Sequence, residues 1–73
     1  KASRILLLHK NIPNSLGQFT STVARDNLNI SDLLNRSKGE YACTMLDLDE
    51  PASPAVVEDL KNVEGVLRVR VIR

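Results

Sequence analysis

Apolar residues recur with two different spacings along this chain, and the alternation of those spacings outlines six elements. Residues 4–9 (RILLLH) form a short run of Ile and Leu without a breaker, which predicts a strand buried on both faces. Pro13 ends it and opens a loop in which Asn14 or Ser15 caps a helix, and Ser15 with Gln18 has the spacing of a capping box. Leu16, Phe19, Val23 and Ala24 then fall at helical spacing on one face. Asn27 terminates that helix, because Asn tolerates a left-handed backbone better than most residues. Residues 29–37 (NISDLLNRS) are polar for a strand and alternate imperfectly, which suits an edge strand, either solvated or paired with another subunit. After a turn at Gly39, residues 41–49 alternate clearly. Ala42, Thr44, Leu46 and Leu48 share one side; Tyr41, Cys43, Met45 and Asp47 share the other. Ser53 followed by Pro54 is a cap and first-turn pair, and Val56, Val57 and Leu60 form the apolar stripe of a short helix. Beyond Gly65, residues 66–72 (VLRVRVI) read as a last strand with Leu67, Val69 and Val71 inward and Arg68 and Arg70 outward.

The order strand, helix, strand, strand, helix, strand repeats one outline twice. Two crossovers laid side by side predict an α+β, ferredoxin-like βαββαβ sandwich: a four-stranded antiparallel sheet with both helices on one face. That arrangement carries many functions, so it leaves function to the residues themselves. With 73 residues the chain is one domain, too small to bury more than a modest share of its surface. A single cysteine and a single histidine allow neither an internal disulfide nor a closed zinc site. Oligomerisation is the remaining source of added stability. The free thiol of Cys43 fits a reducing cytoplasm. The chain begins at Lys1 rather than Met, which predicts a regulatory unit spanning residues 1–73 and excised from a longer enzyme.

Charge and chemistry exclude more than they assign. A net charge of +1, with acids and bases interspersed, makes no electrostatic case for nucleic acid or an anionic membrane. Phe19 and Tyr41 are the whole aromatic complement, too few for a base-stacking surface. The longest apolar run covers residues 5–8, far too short to span a bilayer. Asp47, Asp49 and Glu50 read as a solvated turn rather than an acid–base pair. Cys43 reads as a small core or interface hydrophobe. No nucleophile motif or glycine-rich phosphate loop is present, so an active site within this chain is not expected. The segment HKNIPNSLG (residues 9–17) is the exception. His9 and Asn11 stand two apart at a strand end, so both can point one way, and a helix begins just beyond. Free N–H groups at that helix start favour a carboxylate, and Asn11 offers both a donor and an acceptor. The same composition is also that of an ordinary turn.

Residues 6–30 (LLLHKNIPNSLGQFTSTVARDNLNI), 41–49 (YACTMLDLD) and 63–72 (VEGVLRVRVI) together resemble the ACT domain family, and within it the C-terminal regulatory domains of D-3-phosphoglycerate dehydrogenases. The matching positions are His9, Asn11, Pro13, Leu16, Asn29 and Ile30. The resemblance implies two copies joined side by side through an edge strand. L-serine would be bound at the junction for feedback control of serine biosynthesis. It implies ligand contacts from His9, Asn11, Asn14, Ser15 and Leu16 of one copy, and from Asn29 and Ile30 of the other. No cofactor is implied in this domain; NAD would belong to the parent dehydrogenase. Where the family usually has glycine, this chain has Asn14 after the loop proline and Asn27 near the end of the first helix, and both can take glycine's positive φ. A dimerisation module without a ligand, or an ACT domain of another amino-acid enzyme, fits the same residues.

Overall fold

The computed structural model describes residues 2–72. Strand β1 (Ser3–Lys10) leads into helix α1 (Ser15–Arg25), then β2 (Ile30–Lys38), β3 (Tyr41–Leu48), helix α2 (Pro54–Lys61) and β4 (Val66–Ile72). The four strands form one sheet in the order β2-β3-β1-β4, with all neighbours antiparallel. The expected βαββαβ sandwich is therefore the observed one.

The core lies between the sheet and the two helices. Ile5 and Leu7 from β1 and Leu46 and Leu48 from β3 meet Phe19 and Val23 of α1 and Val56 and Leu60 of α2, all without solvent exposure. Burial of such side chains contributes on the order of 2 kcal/mol each. β1 alternates rather than being buried on both faces. Ser3, Ile5, Leu7 and His9 point to the helices, whereas Leu8 and Lys10 are exposed and Arg4 and Leu6 half-buried. The reason is topological: both helices cover the same face, so among the described residues no element covers the other. β4 also departs from simple alternation. Leu8 pairs with Arg68 but His9 with Val66, which leaves Leu67 as the extra residue of a bulge. Leu67 consequently turns outward, 53% exposed, and Val66 takes the inward place beside Val69 and Val71.

Helix α1 buries Phe19, Thr22 and Val23 and half-buries Leu16, while Ala24 is exposed. Thr22 tolerates burial because its hydroxyl donates to the Gln18 carbonyl at 2.7 Å. The capping box does not form. Ser15 instead donates back to the Ile12 carbonyl at 2.9 Å. Asn14 occupies the cap position in the left-handed region, with φ 67° and ψ 13°, and makes no side-chain capping bond. A normal N-cap is extended. The Asn14 amide oxygen lies where a Cβ on Gly17 would stand, so Gly17 makes room for the Asn14 side chain. Asn27, at φ 61°, is left-handed as expected, and so is Gly39 at φ 63°. Helix α2 begins as its sequence predicts, with the Ser53 hydroxyl accepting from the Val56 N–H at 3.2 Å and Pro54 in the first turn.

On the opposite face, Arg4 donates to both carboxylate oxygens of Asp47, at 2.7 and 3.2 Å. That pairing raises the Arg4 pKa further. At the end of α1, one carboxylate oxygen of Asp26 is buried with no hydrogen-bond partner among the described residues. Burial, followed by the nearby Asp59 carboxylate of α2, pushes the Asp26 carboxyl up from its ordinary value.

Two outcomes follow from these observations. Asn14→Gly is expected to leave thermal stability nearly unchanged, whereas Asn14→Ala should cost about 1 kcal/mol, because alanine lacks asparagine's tolerance of positive φ; denaturant melts of the two variants check this. For Asp26, the folded chain binds its proton more tightly than the unfolded chain does. Stability therefore falls as pH rises from the unfolded value near 4 through the raised folded value. Asp26→Asn should melt higher than the parent at pH 7, and melting curves at pH 4 should show the difference shrinking.

Candidate ligand-binding site

The loop after β1 and the first turn of α1 enclose a cleft of about 240 Å³. His9, Asn11, Asn14, Ser15 and Leu16 all line it, together with Ile12, Gly17 and Asn35. This is below the roughly 300–1,000 Å³ of drug-sized pockets, a scale suited to a small metabolite. Five of the seven expected site residues thus converge in one chain. Asn35, which the sequence reading missed, enters from the edge strand β2. It carries no local signal in the sequence: only the pairing of Asn35 with Thr44 brings it beside His9.

The α1 end of the cleft is chemically open. The first N–H groups of any helix lack intrahelical acceptors. Here the cap side chain satisfies none of them, and no acidic residue stands in the first turn. These groups and the helix dipole together favour a carboxylate. Asn11 is exposed at the rim. Its backbone N–H bonds to the Glu40 carbonyl at 2.8 Å and its amide donates to the Gly39 carbonyl at 3.2 Å, leaving its side-chain oxygen to accept.

His9 is the last inward-facing residue of β1. It is 2% exposed, and its ring packs edge-on against Phe19 with centroids 4.8 Å apart. Nδ1 donates to the Lys10 carbonyl at 2.9 Å, since a carbonyl can only accept. Nε2 lies 2.8 Å from the Thr44 hydroxyl, which in turn lies 2.9 Å from the Asn35 side-chain oxygen. The single Thr44 proton can serve either Nε2 or Asn35 at one time. Both ring nitrogens are engaged within the chain, so His9 forms a wall of the cleft and does not extend into it.

Asn29 and Ile30 stand elsewhere. Six residues of extended chain separate Asn29 from Asn35, about 20 Å at the usual strand rise. Asn29 is tied to the turn after β3: its backbone N–H donates to Glu50, its side chain donates to Asp49, and its carbonyl accepts from the Asp49 N–H. Ile30 pairs with Leu48 and packs on the core. The acidic segment is therefore more than a solvated turn. Asp49 and Glu50 hold Asn29 in place, and Asp47 is 7% exposed beside Arg4. Cys43 lies exposed on the open face of the sheet and not in the core. Among the described residues, no three His, Cys, Asp or Glu side chains gather as a metal site, and no helix is long and apolar enough to cross a membrane.

No family model matches the chain. It is 25% identical over 71 residues to D-3-phosphoglycerate dehydrogenase from Archaeoglobus fulgidus, a match covering 92% of this chain and 14% of that protein. Solved structures of similar shape include the ACT domain of GTP pyrophosphokinase from Chlorobium tepidum, with a TM-score of 0.79 at 16% identity, covering 96% of this chain and 95% of that one. The regulatory subunit of aspartate kinase from Thermus thermophilus also has a TM-score of 0.79, at 10% identity, covering 97% of this chain and 50% of that one. The chain has the ACT-domain fold and, over nearly its whole length, resembles a short part of D-3-phosphoglycerate dehydrogenase.

Proposed function

We propose that this chain is the amino-acid-sensing module of an enzyme of the D-3-phosphoglycerate dehydrogenase type, binding L-serine where two copies meet. The observation that carries the reading is the cleft between Asn11 and the uncapped start of α1, which ends at Asn35 on the exposed edge strand β2. A serine carboxylate suits the α1 N-terminus, and the Asn11 side chain offers an acceptor to its ammonium group. β2 is an outer strand of the sheet with most of its side chains exposed, an edge open to pairing with its twin. Antiparallel pairing of two such strands centred on Asp32 or on Leu33, so that each residue there faces its own equivalent, sets Asn29 within two positions of the partner's Asn35. Asn29 then comes beside the partner's cleft. The distance of about 20 Å within one chain is thereby closed between two.

Regulation follows as linkage. Serine held by both copies stabilises the paired arrangement, and it alters the parent enzyme only by its differential affinity for the enzyme's conformations. The catalytic residues and the NAD of such an enzyme belong to the rest of the parent chain. A second reading, a dimerisation module without a ligand, is favoured by one observation: His9 is buried, with Nδ1 bonded to the Lys10 carbonyl and Nε2 against the Thr44 hydroxyl.

Amide NMR of the chain, at a concentration where sedimentation shows a dimer, distinguishes the two readings. Titration with L-serine, with glycine as control, is expected to give saturable shifts at residues 9–16 and 27–31. No shift would leave the ligand-free module. Asn11→Ala and Asn29→Ala should each weaken serine binding about tenfold or more, as loss of a hydrogen bond to a charged group does. Mixing the two variants should restore one full-affinity site in each mixed dimer, because one of its two junctions is then intact. Absence of that restoration would place both residues in the same copy's site or remove one of them from it.

A further inference from the structure

The face of the sheet opposite the helices has a composition unlike a solvated surface. Register places Arg4, Lys10, Arg36, Lys38, Arg68 and Arg70 on it, against Asp32 and Asp47. Among the described residues the helical layer carries the opposite balance, with Asp26, Glu58, Asp59 and Glu64 against Arg25 and Lys61. A chain of net charge +1 therefore has one strongly basic face. The centre of that face is apolar. Midway along the two inner strands the outward positions are Leu6, Leu8, Cys43 and Met45, between Arg4 with Asp47 at one end and Lys10 with Tyr41 at the other, and Leu34 extends the patch onto β2. Leu8 and Leu34 are 43% and 44% exposed. An antiparallel sheet with one wet face ordinarily sets polar residues there.

The geometry points to a docking surface for an acidic amphipathic helix of a partner protein. An apolar centre inside a charged rim is the anatomy of a protein interface. The rim is cationic on both flanks, with Arg68 and Arg70 on β4 and Arg36 and Lys38 on β2. It therefore selects a partner whose apolar stripe is bordered by carboxylates. The flanking strands are three strand spacings apart, about 14 Å, and a helix about 10–12 Å across fits between them. A second copy placed face to face would set these cations against their equivalents, which opposes that pairing. Tyr41 is the one exposed aromatic side chain among the described residues, so a single-stranded nucleic acid finds no stacking platform here. This surface is separate from the cleft at α1 and independent of serine binding.

The test uses the isotopically labelled chain and a synthetic helical peptide carrying leucines on one face with glutamates along both borders of that face. Amide shifts are expected at Leu6, Leu8, Cys43 and Met45, saturable in about 50 mM salt and about tenfold weaker in 300 mM, since exposed charge pairs are screened. The same peptide with lysine for glutamate should not bind. Arg68→Glu combined with Arg70→Glu should weaken binding at least tenfold. Arg36→Glu combined with Lys38→Glu, on the other flank, should do the same if the first pair disturbs folding. Equal shifts in the helical layer, no saturation, or equal binding of the lysine peptide would overturn the proposal. Tighter binding of an oligonucleotide or of phosphatidylserine vesicles at the same amides would also overturn it, by giving the face to a different class of partner.

Discussion

The pairing of β1 with β3 along its whole length, from Ser3 opposite Leu48 to Lys10 opposite Tyr41, is the constraint on which the rest of the molecule depends. It sets Ile5 and Leu7 beside Leu46 and Leu48 under the two helices, and so defines the core. At one end of the same ladder it brings Arg4 to Asp47; near the other it brings His9 to Thr44. A slip of one residue would turn every one of these side chains to the wrong face. The uncovered face follows from the same pairing, because two crossovers of the same hand leave both helices on one side.

The cleft at the start of α1 is built from backbone geometry more than from side-chain chemistry. Asn14 in the left-handed region turns the chain so that the helix begins without a side-chain cap, and Gly17 makes room for the Asn14 amide. A capped helix would have filled the place that remains open. His9 contributes rigidity. Held by Lys10, Thr44 and Phe19, it ties the loop to the core, which keeps Asn11 and the helix start in a defined relation.

How much of the site was legible along the chain depends on sequence distance. Asn11, Asn14, Ser15 and Leu16 fall within one loop and one helical turn, and their convergence follows from a strand end meeting a helix start. Asn35 was not legible, because nothing near it in sequence marks it. It reaches the cleft through a strand pairing with Thr44. The burial of His9 was not legible for a similar reason: Thr44, 35 residues away, supplies the partner that allows it. Leu67 and Ala24 were misplaced by extending a regular period through a bulge and around a helix face.

Elements, caps and left-handed positions are properties of short segments, since backbone preference and apolar spacing act over a few residues. The six elements, the cap at Ser53 and the positive φ of Asn27 and Gly39 were therefore readable from the chain alone. Charge was not. Acids and bases that look evenly mixed along the chain are sorted by strand alternation and register, which set six cations against two carboxylates on the open face of the sheet and join Arg4 to Asp47 across 43 residues. Folding decided which residues share a face, which polar groups find partners and which edge stays open. Those outcomes depend on contacts between distant residues, which local sequence preference does not encode.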